Sequence, residues 1–252
     1  MGVDTACTSR DLFSRILKKW KEQKMDFKYL GHSCFQANIG GKNIVFDPYI
    51  SGNELAIKAG IKIDDVKADY ILVTHGHSDH VADLLQLAKR TNATVISSWE
   101  ICQWVINQGY AKVHPLNIGG TKVLEFGYVK MTYAAHSSSF SDGSYAGISA
   151  GYLIMAEGKT IYFAGDTALT YEMKLIGELH KIDHAILPIG GNFTMDMYDA
   201  SIAADFINCK DILAMHFDTN VYIKIDHEKA KQLFTQSGKN LHILNIGESI
   251  AF

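Results

Sequence analysis

Tyr70-Ile71-Leu72-Val73-Thr74-His75-Gly76-His77-Ser78-Asp79-His80 is where the fold and the chemistry of this chain become readable together. The apolar run before His75 is bounded by turn residues, the pattern of a buried strand. It ends in three imidazoles and one carboxylate within six residues. A strand that runs into such a turn aims those side chains at one point in space. Neutral imidazole and carboxylate are the ligands of zinc and other borderline divalent metals. An apolar core has no other use for so many polar rings, because each would need its own hydrogen-bond partner.

Working outward, the pattern alternates strands and helices. Phe27–Leu30, Phe35–Ile39 and Asn43–Asp47 read as strands, with a hairpin signalled at Gly40-Gly41. Val81–Arg90 carries Leu84, Leu85, Leu87 and Ala88 at amphipathic spacing and reads as one helix. A strand over Thr94–Ser97 and a helix over Trp99–Gln108 follow, with Trp99 and Trp104 at core-like spacing. Strands are expected at Thr121–Phe126, Tyr128–Ala134, Ile148–Met155 and Thr160–Ala164, and a Ser- and Gly-rich loop at His136–Gly147. The last third alternates helices (Thr170–Leu179, Asp196–Asn208, Asp226–Phe234) with strands (His184–Pro188, Asp211–Met215, Leu241–Asn245, Ser249–Phe252). Two sheets packed together with helices outside, a layered α/β sandwich, is the architecture this order supports.

With 252 residues the chain is long enough for one large α/β domain. A formal charge of −3 supplies no basic stripe, so duplex nucleic acid is not an expected partner. Cys7, Cys34, Cys102 and Cys209 are scattered without Cys-x-x-Cys spacing, which points to reduced thiols and a cytoplasmic setting. No apolar stretch approaches the ~18 residues of a membrane span. Residues 1–24 differ from the rest. Leu12, Phe13, Ile16, Leu17 and Trp20 recur at helical spacing among Lys18, Lys19, Lys21 and Lys24, the mark of a basic amphipathic extension. Residues 25–252 form the expected domain.

Three more residues sit where strands run into loops. His136 follows Val129–Ala135, Asp166 lies in Gly165-Asp166-Thr167, and His216 follows Ile212–Met215. With the hexapeptide they make seven candidate ligands, enough for two metals with room left for water.

The order His75-x-His77-x-Asp79-His80, His136, Gly165-Asp166-Thr167, His216 resembles the metallo-β-lactamase superfamily. Tyr29–Phe35, Leu187–Met195 and Met215–Thr219 are closer still to the small bacterial metal-dependent hydrolases related to L-ascorbate-6-phosphate lactonase. The resemblance implies a four-layer αββα sandwich. It implies a first metal on His75, His77 and His136, a second on Asp79, His80 and His216, and Asp166 bridging them. Two divalent ions are implied, zinc first, with manganese, iron or nickel also suited to the donors. Ions about 3.5–4 Å apart can share a hydroxide that attacks at pH 7. The expected reaction is hydrolysis of a small molecule such as a lactone or a phosphorylated sugar derivative.

Asp79 and His32 are the candidate catalytic side chains, His32 either binding substrate or orienting a ligand. Asp47 is a candidate partner for a ligand imidazole. Asn192, Thr194 and the Ser137–Gly143 loop are expected to rim the cleft. The competing readings are a phosphodiesterase or nuclease on the same fold and a non-catalytic metal-binding protein. Self-association is left open.

Overall fold

The computed structural model describes residues 24–252. The amphipathic extension expected at residues 1–24 therefore lies, except for Lys24, outside the described residues. The first sheet contains β1 (Asp26–Gly31), β2 (Cys34–Ile39), β3 (Lys42–Phe46), β4 (Tyr70–Leu72), β5 (Thr94–Ser98), β6 (Val113–Leu116) and β14 (Ser249–Ala251). The second contains β7 (Thr121–Val123), β8 (Tyr128–Tyr133), β9 (Ala150–Ala156), β10 (Lys159–Phe163), β11 (His184–Pro188), β12 (Asp211–Met215) and β13 (Asn240–His242). Their orders are β14-β1-β2-β3-β4-β5-β6 and β13-β12-β11-β10-β9-β8-β7. Each sheet is mixed: β3, β4, β5 and β6 run parallel, as do β10, β11, β12 and β13, and antiparallel hairpins complete both.

The two-residue period of the strands sorts side chains between layers. In β3, Ile44 and Phe46 face the second sheet, while Val45 joins the core under the outer helices. In and just after β4, Tyr70 and Leu72 point inward and Ile71 and Val73 outward in the same way. Phe46 stacks on Phe163 of the opposite sheet at 4.6 Å between ring centres. Such a pair adds about 0.5–1.5 kcal/mol beyond the area it buries. The helices are α1 (Glu54–Lys58), α2 (Ser78–Val81), α3 (Leu84–Thr91), α4 (Trp99–Asn107), α5 (Tyr171–Leu179), α6 (Met197–Phe206) and α7 (His227–Gln236). Helix α3 buries Leu84, Leu87 and Ala88, one helical face, against the first sheet. Asp196 caps α6 by accepting from Tyr198 N and Asp199 N, and Asp226 caps α7 through Lys229 N. The molecule is the expected four-layer αββα sandwich.

Two local expectations need correction, and one strand is added. The helix expected over Val81–Arg90 is broken in two at Ala82-Asp83, and α2 begins at Ser78. The buried Asp83 carboxylate takes hydrogen bonds from Ile50 N and Ser51 N, and Asp83 N donates to Pro48 O. Those tertiary bonds outweigh helix continuity. Strand β6 occupies a stretch to which the sequence pattern assigns no element; it contains Pro115 and is an edge strand, where a missing N–H is tolerated. Trp99 is 56% exposed and is not core, whereas Trp104 stacks on Phe140.

Candidate metal centre

The candidate ligands leave strand ends on one edge of the sandwich. His75 and His77 follow β4, and Asp79 and His80 form the first turn of α2. His136 follows β8, Asp166 follows β10, and His216 follows β12. His32 lies in the tight turn between β1 and β2. The turn at His75 needs Gly76: a Cβ there would meet the Ala146 methyl at 2.2 Å. The backbone around the site is conformationally selected. His32, Asp47, Asn192, His216 and Asp218 all have positive φ, between 42° and 62°. That region costs energy for non-glycine residues and persists where surrounding contacts enforce it. One such contact is His216 N donating to His32 O at 2.9 Å.

The structure brings all seven candidate ligands together. Ligand atoms of His75, His77 and His136 lie within 4.8 Å of one another, as do those of His32, Asp79, His80 and His216, and those of His75, His80 and Asp166. Asp166 Oδ2 is the hub: it sits 2.9 Å from His216 Nε2, 3.3 Å from His80 Nε2 and 3.8 Å from His136 Nε2. His75 Nε2 and His77 Nδ1 face each other at 2.9 Å. His80 Nε2 is buried and, although near Asp166, makes no hydrogen bond of acceptable geometry.

A second tier of contacts orients these atoms. Asp47 is fully buried and accepts from Thr74 N at 2.8 Å and from Thr74 Oγ1 at 2.7 Å. It also accepts from His80 Nδ1 at 2.8 Å. With the proton on Nδ1, the His80 lone pair is on Nε2 and faces the cluster. The carboxylate–imidazole arrangement is the usual support of a metal-bound histidine. Thr74 Oγ1 lies 3.0 Å from His75 Nδ1, and Ser33 Oγ donates to Asp166 Oδ1 at 3.4 Å.

Electrostatics divide the cluster. Burial holds the imidazoles of His75, His77 and His136 below their usual range, so they stay neutral and keep a lone pair. Burial, then His216, pushes His32 down to about 4. The 3.0 Å contact of His32 Nε2 with Asp79 Oδ2 is thus a hydrogen bond from a neutral ring rather than an ion pair. Its Nδ1 accepts from Thr219 Oγ1 at 2.6 Å. Burial opposes charge on Asp79 and Asp166, yet the surrounding imidazoles outweigh it and hold both well below the usual carboxylate range. Burial opposes charge on His80 too, but Asp166 and Asp47 outweigh it and raise its pKa well above the ordinary value. The pull that keeps a proton on His80 is the pull a cation would feel in its place. Neutral imidazoles, ionised carboxylates and a buried, unpartnered Nε2 together fit a divalent cation.

The cluster opens into a cleft of about 270 Å³ lined by His77, Asp79, His136, Ser137, Asp166, Phe193 and His216. Ser137, which the sequence places at this rim, is there. The sequence reading also puts Asn192 and Thr194 there, but the residue of that loop that lines the cleft is Phe193, between them. Phe193 and Thr219 escaped sequence reasoning. An aromatic ring and a threonine in loops carry no ligand signal of their own; the signal available was their place inside Leu187–Met195 and Met215–Thr219, the segments of closer resemblance.

Fold and site define a class of protein, and comparison with known proteins agrees. Residues 26–216 match the profile of the beta-lactamase superfamily domain, so the chain belongs to that superfamily. Within it, the chain is 52% identical over 226 residues to a UPF0173 metal-dependent hydrolase of Flavobacterium johnsoniae, covering 90% of this chain and 99% of that protein. A UPF0173 metal-dependent hydrolase of Methylacidiphilum infernorum is 45% identical over the same share of each chain. Among solved structures, Igni18, a metallo hydrolase from the archaeon Ignicoccus hospitalis, superposes with a TM-score of 0.82 at 33% identity. That match covers 91% of this chain and 99% of Igni18.

Proposed function

We propose that this protein is a metal-dependent hydrolase of a small molecule, a lactone foremost. The observation that carries the reading is the convergence of seven side chains, Asp166 central among them, at an open cleft. His75, His77 and His136 would hold one divalent ion, Asp79, His80 and His216 a second, and Asp166 would serve both. Zinc suits these donors first, with manganese, iron or nickel as alternatives. When bound, such ions supply Lewis acidity toward a carbonyl or phosphoryl oxygen and a nucleophile at neutral pH.

The chain's own residues orient this chemistry. Asp47 fixes the His80 ring and Thr74 the His75 ring. His32 is a positioning residue: its Nε2 engages Asp79 Oδ2, and Asp79 is part of the cleft lining. Asp79, on the cleft lining and steadied by His32, is the candidate catalytic carboxylate. Phosphodiester or nucleic-acid substrates draw less support, because among the described residues no Lys or Arg lines the cleft.

The test is metal analysis of untreated protein, coupled to a panel of lactone, phosphodiester and thioester substrates. Chelation should abolish turnover and a divalent ion should restore it. His77→Ala and Asp166→Ala should be soluble and inactive. Full turnover after exhaustive chelation, or in either variant, would overturn the reading.

A further inference from the structure

Two loops leave the metal cluster carrying exposed aromatic rings. The first follows β11 and holds Phe193, which lines the cleft beside His77, Asp79 and His216 and is 51% exposed. The second follows β12 and His216 and holds Tyr222, which is 68% exposed. Their rings meet edge to face at 6.2 Å between centres. Large aromatic side chains left in water at the mouth of a polar site cost hydration free energy without a packing return. Such apolar surface at a concave site marks a binding surface.

Both loops are held rather than loose. Gly191 N donates to Met195 O, and Met195 N donates to Thr167 O beside Asp166. Phe193 N donates to Gly191 O. On the other side, Asp218 N donates to Ile223 O, Ile225 N donates to Asp218 Oδ1, and Tyr222 N donates to Asn220 Oδ1. His227 Nε2, 2.6 Å from Asp218 Oδ2, ties that loop to α7. The backbone that carries each ring is therefore held before anything binds, which lowers the ordering cost of recognition.

The charge around them is as informative. Among the described residues, no cation lines the cleft. Neither Tyr222 nor Lys224, two residues further on, is part of the lining itself; Tyr222 joins the cleft mouth through its ring contact with Phe193. Phosphate carried on the substrate away from its reacting carbonyl would find no Arg or Lys fork, the usual means of holding it. An apolar or aromatic substituent would find the Phe193 ring, with the Tyr222 ring set against it at the cleft mouth.

We infer that Phe193 and Tyr222 form an aromatic subsite that selects neutral substrates bearing an aryl or alkyl substituent next to the hydrolysed bond. This rests on the hydrolase reading above and names its substrate class. In the reaction, water adds to the lactone carbonyl, the ring C–O bond breaks, and the oxygen leaves as the alcohol of a hydroxy acid. No oxidant or co-reactant is needed.

The experiment compares three lactones of one ring size, unsubstituted, phenyl-substituted and phosphomethyl-substituted, with the metal-loaded protein. It also follows binding of the non-hydrolysable 3-phenylcyclopentanone by ligand-observed NMR. The phenyl lactone should be preferred over both others in kcat/KM, and the ketone should bind. Phe193→Ala and Tyr222→Ala should each lower the phenyl-to-unsubstituted ratio by about tenfold, the scale of a lost apolar pocket contact, and weaken ketone binding in parallel. Phe193→Leu, which keeps an apolar side chain, should fall between. Preference for the phosphomethyl lactone, or an unchanged ratio and unchanged ketone binding in both alanine variants, would overturn the inference. If no lactone is hydrolysed, the hydrolase reading fails on its own terms, and the ketone titration still decides whether the aromatic subsite exists.

Discussion

Asp47→Asn separates the oriented metal centre from a mere cluster of histidines. Asp47 makes no contact with the cleft; it acts on the site through His80 and Thr74. Asparagine keeps its size and tolerates the positive φ of 42° at this position, so the backbone should not be the cause of any effect. What changes is one acceptor oxygen becoming a donor. The least costly rotamer keeps the amide oxygen on His80 Nδ1 and turns the amide nitrogen toward Thr74 N, so two donors face each other in a fully buried place. Loss of one buried bond of that kind costs about 1–3 kcal/mol. The charge behind His80 also disappears, and its Nε2 becomes a poorer donor to a cation. Loss of such a supporting carboxylate lowers metal affinity about 10–100-fold, or about 1.4–2.7 kcal/mol. Titration against a chromogenic competing chelator reads the affinity, and denaturant unfolding of the chelated protein reads the stability. A dissociation constant within about twofold of wild type, with an unshifted unfolding midpoint, would refute the claim that Asp47 holds the site in register.

Other consequences follow from the same geometry. The chelated protein should lose stability as pH falls below 6.5, because His32, His75, His77 and His136 have lowered pKa values and the unfolded chain then binds more protons. For His32, held at about 4 against an ordinary 6.5, the loss is about 3 kcal/mol across that window. His80 runs the opposite way, its stabilisation present below 6.5 and lost as pH rises through its raised value; thermal melts from pH 7.5 to 4.5 give the balance, and a flat profile would contradict it. Gly76→Ala should destabilise by about 1–3 kcal/mol, as overpacked cores do, because its methyl lies 2.2 Å from Ala146 Cβ; a wild-type melting curve with wild-type metal content would show the turn to be more pliable than described. Adding divalent ion to chelated protein at 1,000 times its dissociation constant should stabilise the fold by about 4 kcal/mol. No shift in melting temperature would mean that the cluster binds no ion in the folded state.

Much of this protein is written locally. The alternation of Ile44, Val45, Phe46 and of Tyr70, Ile71, Leu72, Val73 dictates two-faced strands whatever lies around them, because the pleat sends neighbours to opposite sides. The hexapeptide His75–His80 concentrates donors through covalent proximity alone, and strand-end positions made His136, Asp166 and His216 legible as partners. Other features depend on residues far apart in the chain. The break at Ala82-Asp83 is made by Asp83 reaching the loop at Ile50 and Ser51, and β6 survives Pro115 only because it is an edge. The roles of Asp47 and His32 depend on hydrogen bonds spanning 33 and 47 residues. Phe193 and Tyr222 meet only because β11 and β12 lie side by side in parallel and deliver both loops to the same edge. Propensity and periodicity act over a few residues, so they set elements and donor types. Which donor receives its partner's proton, and which ring faces the cleft, is decided where separate strands are packed against one another.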